Sequence, residues 1–194
     1  MSEKCDCVNV RKVVIVGCGF VGSASAFALM QSGLFSEMVL IDVDKDRAEG
    51  EAMDISHGAS FAGPMKIYAG GYEDVGDASI IVITAGANQK PNETRLDLVQ
   101  KNAKIMTDVV TQIKEQEYKG ILLIVSNPVD IMTQVAMEVS GFPEHRVFGS
   151  GTVLDSARLR YHLGQHLGVD SRSVHAFVIG EHGDSEIAAW SSAN

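Results

Sequence analysis

The chain has 194 residues, 45% of them hydrophobic and 21% charged, which is enough to bury the core of one domain and part of another. Its formal net charge of -9 and the lack of a basic run argue against nucleic acid or an anionic membrane as a partner, and no apolar run approaches the ~20 residues of a membrane span. A polar N-terminus and three cysteines argue against secretion and predict a cytoplasmic protein; Cys5 and Cys7 lack a second pair, so no metal site is predicted.

A glycine-rich turn near the N-terminus is the most informative stretch. Four β-branched residues at 13–16 predict a strand buried on both faces, and residues 23–30 predict a helix. Between them, Gly17 permits a tight turn, Gly19 lets a pyrophosphate approach the main chain, and Gly22 lets the helix pack on the strand. The N-terminus of the helix then offers its free N–H groups to the phosphates.

An acidic residue follows at the distance that a dinucleotide site requires. Residues 38–41 predict a second strand that ends in Asp42, about twenty residues beyond the glycines, where a carboxylate binds the ribose hydroxyls. A glycine pattern alone is weak evidence, but strand, glycines, helix, strand and acid together are specific. Because Asp42 would repel a 2′-phosphate, NAD is favoured over NADP.

Strands and helices continue to alternate. The patterns predict a helix at 45–57, a strand-containing region at 61–72, a strand and small-residue turn at 79–87, a helix from the second half of 88–102 to 117, a strand at 120–128 that ends at Pro128, a helix at 130–139 and a last strand near 146–151. Such alternation predicts an α/β fold, a Rossmann doubly wound parallel sheet. Ligands are then expected beyond the strand ends at Gly17, Asp42, 84–86, 126–127 and Ser150.

The last part of the chain reads differently. A long helix is predicted at 154–167 and ended by Gly168, followed by a strand at 174–180, a polar turn at 181–185 and the opening of another helix at 190–194.

Four polar residues in or near these segments could do chemistry. His182 follows a strand and carries a proton near neutral pH. Asp155 and Arg158 lie one helical turn apart, and Arg95 lies in a polar segment long enough to act as a lid. Taken singly, each has an ordinary alternative: a structural histidine, a helix cap or a solvated arginine.

Five motifs together resemble the L-lactate dehydrogenases of the lactate/malate dehydrogenase family. They lie at residues 17–22 (GCGFVG), 89–95 (QKPNETR), 126–130 (SNPVD), 154–158 (LDSAR) and 180–185 (GEHGDS). The resemblance runs from about Arg11 to Asn194 and implies reversible hydride transfer between NADH and pyruvate, giving L-lactate. It divides the chain into a tail at 1–10, an NAD-binding Rossmann domain at 11–151, and the beginning of an α+β catalytic domain at 152–194. Because family chains run well past Asn194, this second domain is expected to be incomplete.

The resemblance also assigns roles at the substrate. His182 would give a proton to the pyruvate carbonyl oxygen, and Asp155 would orient His182 and favour its imidazolium form. Arg158 would grip the substrate carboxylate, and Arg95 would polarise the carbonyl. Asn127 would hydrogen-bond near the substrate oxygen.

Other positions match residues that bind the cofactor or select the substrate. The positions expected to line NAD are Gly17, Gly19, Val21, Gly22, Asp42, Arg47, Tyr72, Gly86, Ala87, Val125, Ser126, Asn127 and Ser150. Gln89 stands where the malate branch carries an arginine for a second carboxylate, so a neutral amide there favours pyruvate over oxaloacetate.

The same resemblance extends to regulation and assembly. Arg160 and His175 match positions that bind fructose 1,6-bisphosphate in allosteric bacterial lactate dehydrogenases, and a homotetramer is implied. Two alternatives remain open: a malate or other 2-hydroxyacid dehydrogenase, and an inactive NAD-binding module or assembly fragment.

Overall fold

A computed structural model describes residues 8–88 and 94–194. Within these ranges six strands form one parallel sheet: β1 (Asn9–Val16), β2 (Glu37–Ile41), β3 (Lys66–Ala69), β4 (Ala78–Ile83), β5 (Ile121–Ile124) and β6 (Val147–Gly149). Their order across the sheet is β3-β2-β1-β4-β5-β6, with every neighbouring pair parallel. This is the order of two mononucleotide-binding halves that meet between β1 and β4, so the predicted doubly wound Rossmann sheet is confirmed.

Helices cover both faces of the sheet. They are α1 (Phe20–Ser32), α2 (Lys45–Gly58), α3 (Arg95–Glu115), α4 (Val129–Ser140) and α5 (Val153–Leu167). Val14 and Val16 of β1 belong to the core cluster that α3 and α4 complete, whereas Val13 and Ile15 belong to the cluster that α1 and α2 complete. The apolar run of β1 is therefore the seam between two cores, as its burial on both faces predicts.

The α3 helix begins where the long polar segment of the sequence ends, and its first turn is capped. Thr94 caps the helix: its hydroxyl oxygen accepts from the Asp97 N–H at 3.1 Å, and Asp97 Oδ2 accepts from the Thr94 N–H at 3.0 Å. The Thr94 hydroxyl also donates to Asp97 Oδ2 at 2.6 Å, and this bond, together with the one from the Thr94 N–H, holds the pKa of Asp97 below its usual value. The helix predicted to begin in the second half of 88–102 thus begins at Arg95.

Beyond the sheet, α5 packs against a small hairpin of β7 (Val178–Ile179) and β8 (Ile187–Ala188). The strand predicted at 174–180 is correct in position but too long. Upstream of β7, the main chain of His175 pairs instead with Asn194, through bonds of 2.8 and 2.9 Å. At 190–194, where the opening of a helix is predicted, the structure has one 3-10 turn at Trp190–Ser192.

The first strand begins near the predicted start of the NAD-binding domain. β1 begins at Asn9, whose N–H donates to the Asp77 carbonyl at 2.7 Å, and it runs to Val16. Among the described residues, no helix is both long and apolar enough to cross a membrane.

Candidate active site

The glycine-rich turn is shaped by the strand beside it. Gly17 has φ +101°, and a Cβ there would lie 2.6 Å from the Ala85 nitrogen, at the end of β4. A Cβ on Gly22 would overlap the carbonyl oxygen of Gly17. Around Gly19, in contrast, nothing lies within 4 Å of a Cβ position, so the turn is open on the side where a ligand would approach.

Asp42 is held beside this turn by main-chain donors. Its Oδ2 accepts from the Cys18 N–H at 2.6 Å, and its Oδ1 accepts from the Asp44 N–H at 2.9 Å. Each carboxylate oxygen keeps a second lone pair, which a ribose hydroxyl needs as its acceptor. Burial, followed by the charges of Asp42 and Glu51, raises the pKa of the Cys18 thiol to about 12, so this cysteine stays protonated.

The N-terminus of α1 completes a place for a pyrophosphate. Gly19 caps this helix without a side-chain hydrogen bond, and its first turn, all of which the structure describes, has no acidic residue. The N–H groups of that turn are therefore left for an anion. An open glycine turn, a helix N-terminus without a side-chain cap and an oriented carboxylate fit a dinucleotide without a 2′-phosphate.

The strand ends of β4 and β5 are joined by a residue that the sequence reading missed. Asn102 of α3 is 4% exposed; its Oδ1 accepts from the Ala87 N–H at 2.8 Å, and its Nδ2 donates to the Asn127 carbonyl at 2.9 Å. Ser126 adds a second link, because its hydroxyl donates to the Ala85 carbonyl at 2.7 Å. A signal existed: Asn102 is a polar residue at helical spacing with the buried Met106 and Ile113.

The other predicted cofactor residues lie along the same edge of the sheet. Val21 is half-exposed in the first turn of α1, and Arg47 lies in α2, with its N–H donated to Asp44 at 3.2 Å. Burial, helped by Asp108 and Asp42, raises the pKa of Tyr72 to about 12. Val125 and Ser150 follow β5 and β6, where their N–H groups donate to the carbonyls of Ile83 and Ile124, respectively.

A histidine–aspartate pair lies across the junction between the sheet and the last part of the chain. The Nδ1 of His182 is 2.5 Å from Asp155 Oδ2, and Arg158 Nη1 donates to Asp155 Oδ1 at 3.1 Å. The Asp155 side chain is 8% exposed. Burial alone would raise the pKa of Asp155, but the bond to His182 and the charges of His182 and Arg158 outweigh it and hold that pKa below its usual value. An ionised Asp155 can only accept, so Nδ1 of His182 carries a proton, and Nε2 is the ring nitrogen that does not contact Asp155.

Two further acids lie close to this pair. Asp130 of α4 accepts the main-chain N–H of His182 on its Oδ2 at 2.9 Å, a contact that the sequence reading did not assign. One ligand atom each from Asp155, His182 and Glu186 lies within 4.8 Å of the others.

The remaining predicted residues divide into two sets. Gln89 lies outside the described residues; Arg95 is the first residue of α3, but its side chain also lies outside them. Arg160 lies against the residues that follow His175: its Nε donates to the Ala176 carbonyl at 2.9 Å, and its guanidinium lies 4.7 Å from the centre of the Phe177 ring.

Fold and site together define a dinucleotide-binding domain followed by a segment that carries a histidine–aspartate pair. Family models match both parts of the chain. The lactate/malate dehydrogenase NAD-binding domain matches residues 11–149, and the α/β C-terminal domain of the same family matches residues 152–194. The chain therefore belongs to the lactate/malate dehydrogenase family, and the cofactor of its first domain is NAD.

Individual relatives agree. The chain is 54% identical to an L-lactate dehydrogenase of Acetivibrio thermocellus and 56% identical to one of Priestia megaterium, each over 185 residues that make up 95% of this chain. A crystal structure of the minor L-lactate dehydrogenase of Enterococcus mundtii in a ligand-bound form superposes with a TM-score of 0.93 at 48% identity, covering 95% of this chain and 59% of that one. The chain spans 58% of the length of the two curated relatives.

Proposed function

We propose that this protein acts as an NAD-dependent L-lactate dehydrogenase, which interconverts pyruvate with NADH and L-lactate with NAD. The observation that carries the proposal is the contact of His182 with the buried Asp155, at the junction where a substrate would meet the edge of the sheet. The relatives named L-lactate dehydrogenase support the choice of substrate.

The bound nicotinamide supplies the hydride, and the residues of this chain supply the proton and the orientation. His182, protonated on both nitrogens, gives the Nε2 proton to the carbonyl oxygen of pyruvate as that oxygen gains charge. The ionised Asp155 holds Nδ1 throughout and stabilises the positive ring. One hydride and one proton added to pyruvate give lactate, and His182 takes the proton back when the reaction reverses.

The substrate carboxylate has a cationic partner within reach of this histidine. The Arg158 side chain is 59% exposed and shares Asp155 with His182, so its remaining guanidinium donors are open to a second carboxylate. Arg95 and Asn127 complete the proposed substrate contacts. Gln89 distinguishes pyruvate from oxaloacetate in this proposal, because a neutral amide offers no charge to a second carboxylate.

The proposed function includes regulation by a sugar phosphate and assembly into an oligomer. Arg160 and His175 bind fructose 1,6-bisphosphate, and the enzyme is an allosteric cytoplasmic homotetramer that serves glycolysis and fermentation. Support comes from the closeness of Arg160 to the segment that carries His175. Activity at low pyruvate, with and without this sugar phosphate, tests the regulatory part.

The main test is NADH oxidation by the protein at its naturally expressed length. We expect a higher kcat/KM with pyruvate than with oxaloacetate; the reverse order would favour the malate branch. H182A should lower kcat by about 10²–10⁴-fold while the Kd for NADH changes little, because general acid catalysis supplies about that factor. H166A, an exposed histidine of α5, is the matched control. A near-normal kcat in H182A, or NADH binding by the wild type without turnover of any 2-oxoacid, would contradict the proposal.

A further inference from the structure

The main chain of His182 is held by a different element from its ring. Asp155 of α5 contacts the ring, whereas Asp130 of α4 accepts the His182 N–H at 2.9 Å across 52 positions of sequence. Asp130 lies in the first turn of a helix whose Val129 and Met132 are buried, so its carboxylate projects from a firmly packed element. The bond joins the NAD-binding domain to the segment that follows it.

The residues of the turn that carries His182 place little restraint on its main-chain conformation. Gly180 and Gly183 have φ values of +93° and +150°, in the region that glycine enters freely. A turn with such glycines on both sides of His182 has many main-chain conformations open to it. An outside contact at the His182 N–H removes that freedom at the residue where position matters.

One anchor on a ring is not enough to place it. A hydrogen bond at Nδ1 alone lets the imidazole swing about the line that joins Nδ1 to Asp155. A second anchor on the main chain of the same residue fixes the Cα, so the position of Nε2 is determined by two elements, α4 and α5. Proton transfer depends steeply on this position, because reacting atoms must lie within hydrogen-bond reach.

We propose that Asp130 is a positioning residue for His182, which sets the distance of the histidine from the edge of the sheet where the nicotinamide binds. The proposal rests on the proposed dehydrogenase function. The acceptor oxygen is what matters, and the negative charge is not required. An asparagine keeps an oxygen at the same place, whereas alanine and serine withdraw it.

The test compares D130A, D130S and D130N with E138A, in the protein at its naturally expressed length. Glu138 is an exposed acid of the same helix, bonded to Gln134 at 3.0 Å, so E138A removes one charge from α4 without touching the turn. We expect D130A and D130S to lower kcat for pyruvate reduction about tenfold, with KM for pyruvate and Kd for NADH within about twofold. D130N and E138A should keep at least about half of the wild-type kcat. Serine is a good residue for a helix N-terminus, so D130S reports on the contact even where D130A folds poorly.

Amide hydrogen exchange of the peptide containing His182 supplies a readout that is independent of turnover. Its exchange should accelerate in D130A and D130S but not in D130N or E138A. An unchanged kcat in D130S, or an equal loss in D130N and D130S, would overturn the proposal, because the first outcome denies the role and the second assigns it to charge. Should the wild type reduce no 2-oxoacid, the proposed function fails by itself, and unchanged exchange in D130S would then refute the contact separately.

Discussion

Charged side chains have different partners at the two ends of the parallel strands. At the edge where β1, β2 and β3 begin, Lys12 Nζ lies 2.7 Å from Asp77 and 3.7 Å from Glu37, and Lys66 lies 3.7 Å from the same Glu37. The Tyr68 hydroxyl donates to Glu37 at 2.9 Å. At the edge where the strands end, the Asp42 carboxylate oxygens accept from main-chain N–H groups only, among the described hydrogen bonds and ion pairs.

The two ends of the sheet differ in whether their charged groups keep any hydrogen-bonding capacity for a further partner. The Lys12 side chain is 6% exposed, and an ammonium withdrawn from water to that extent is tolerated only when it is paired. Burial and Glu37 raise the pKa of Tyr68, so its phenol remains a donor and this network closes on itself. At the other edge, glycines replace side chains, and Asp42 keeps lone pairs for a further donor. One edge is thus built for stability and the other for a ligand.

The largest expected effect comes from the glycines, because they separate folding from binding within one turn. In G22A the new Cβ overlaps the carbonyl oxygen of Gly17, so the turn must move; we expect a loss of about 3 kcal/mol in the free energy of unfolding and loss of NADH binding. G19A adds the same methyl group where nothing lies within 4 Å, at φ -75°. It should unfold like the wild type but bind NADH at least tenfold more weakly, since the methyl group occupies the pyrophosphate side.

Urea unfolding and NADH fluorescence titration of both variants check this contrast. Unchanged NADH affinity in G19A would show that the open side of the turn does not face the cofactor. A G22A protein as stable as the wild type would show that the helix has room to move away from the strand.

The turn, Asp42 and the alternation of elements were predictable because they depend on short spacings in sequence. Asp130 and Lys12 were missed because each acts on a partner that only the folded chain brings close. Asp130 and Lys12 are hydrogen-bonded to partners 52 and 65 positions away, and no pattern of period two or 3.6 encodes such distances. The strand predicted at 174–180 was too long for the same reason: His175 pairs with the distant Asn194. The roles of Arg95 and Gln89 stay predictions.

The next effect concerns the closed edge. K12A removes the only ammonium within 4.0 Å of Asp77 among the described residues and leaves that acid beside a newly opened space. We expect a loss of about 2 kcal/mol in the free energy of unfolding, below the full cost of breaking a buried pair because Asp77 is half-exposed. Turnover per folded molecule should not change, because this edge lies opposite the site.

K66A is the matched control for this change. Its side chain is 69% exposed and lies at the same 3.7 Å from Glu37 as Lys12 does, so its loss should cost less than about 1 kcal/mol. Urea unfolding gives both values. Equal losses in K12A and K66A would mean that burial does not decide the strength of this network.

The smallest expected effect concerns the contribution of the Asp155 charge to the free energy of unfolding. The pKa of Asp155 lies below its ordinary value of 3.8 in the folded protein, because His182 and Arg158 favour the ionised form more than burial opposes it. A depressed carboxyl pKa contributes stability above the unfolded value, and the contribution is lost as pH falls through the folded pKa. D155N should therefore be less stable than the wild type by about 1 kcal/mol at pH 6, since the exposed Arg158 is screened by solvent, and the difference should shrink as the pH falls below about 4. Urea unfolding at several pH values measures it, with D54N, an exposed acid of α2, as the control. A difference between wild type and D155N that is constant with pH would mean that Asp155 acts on stability through packing and not through its charge.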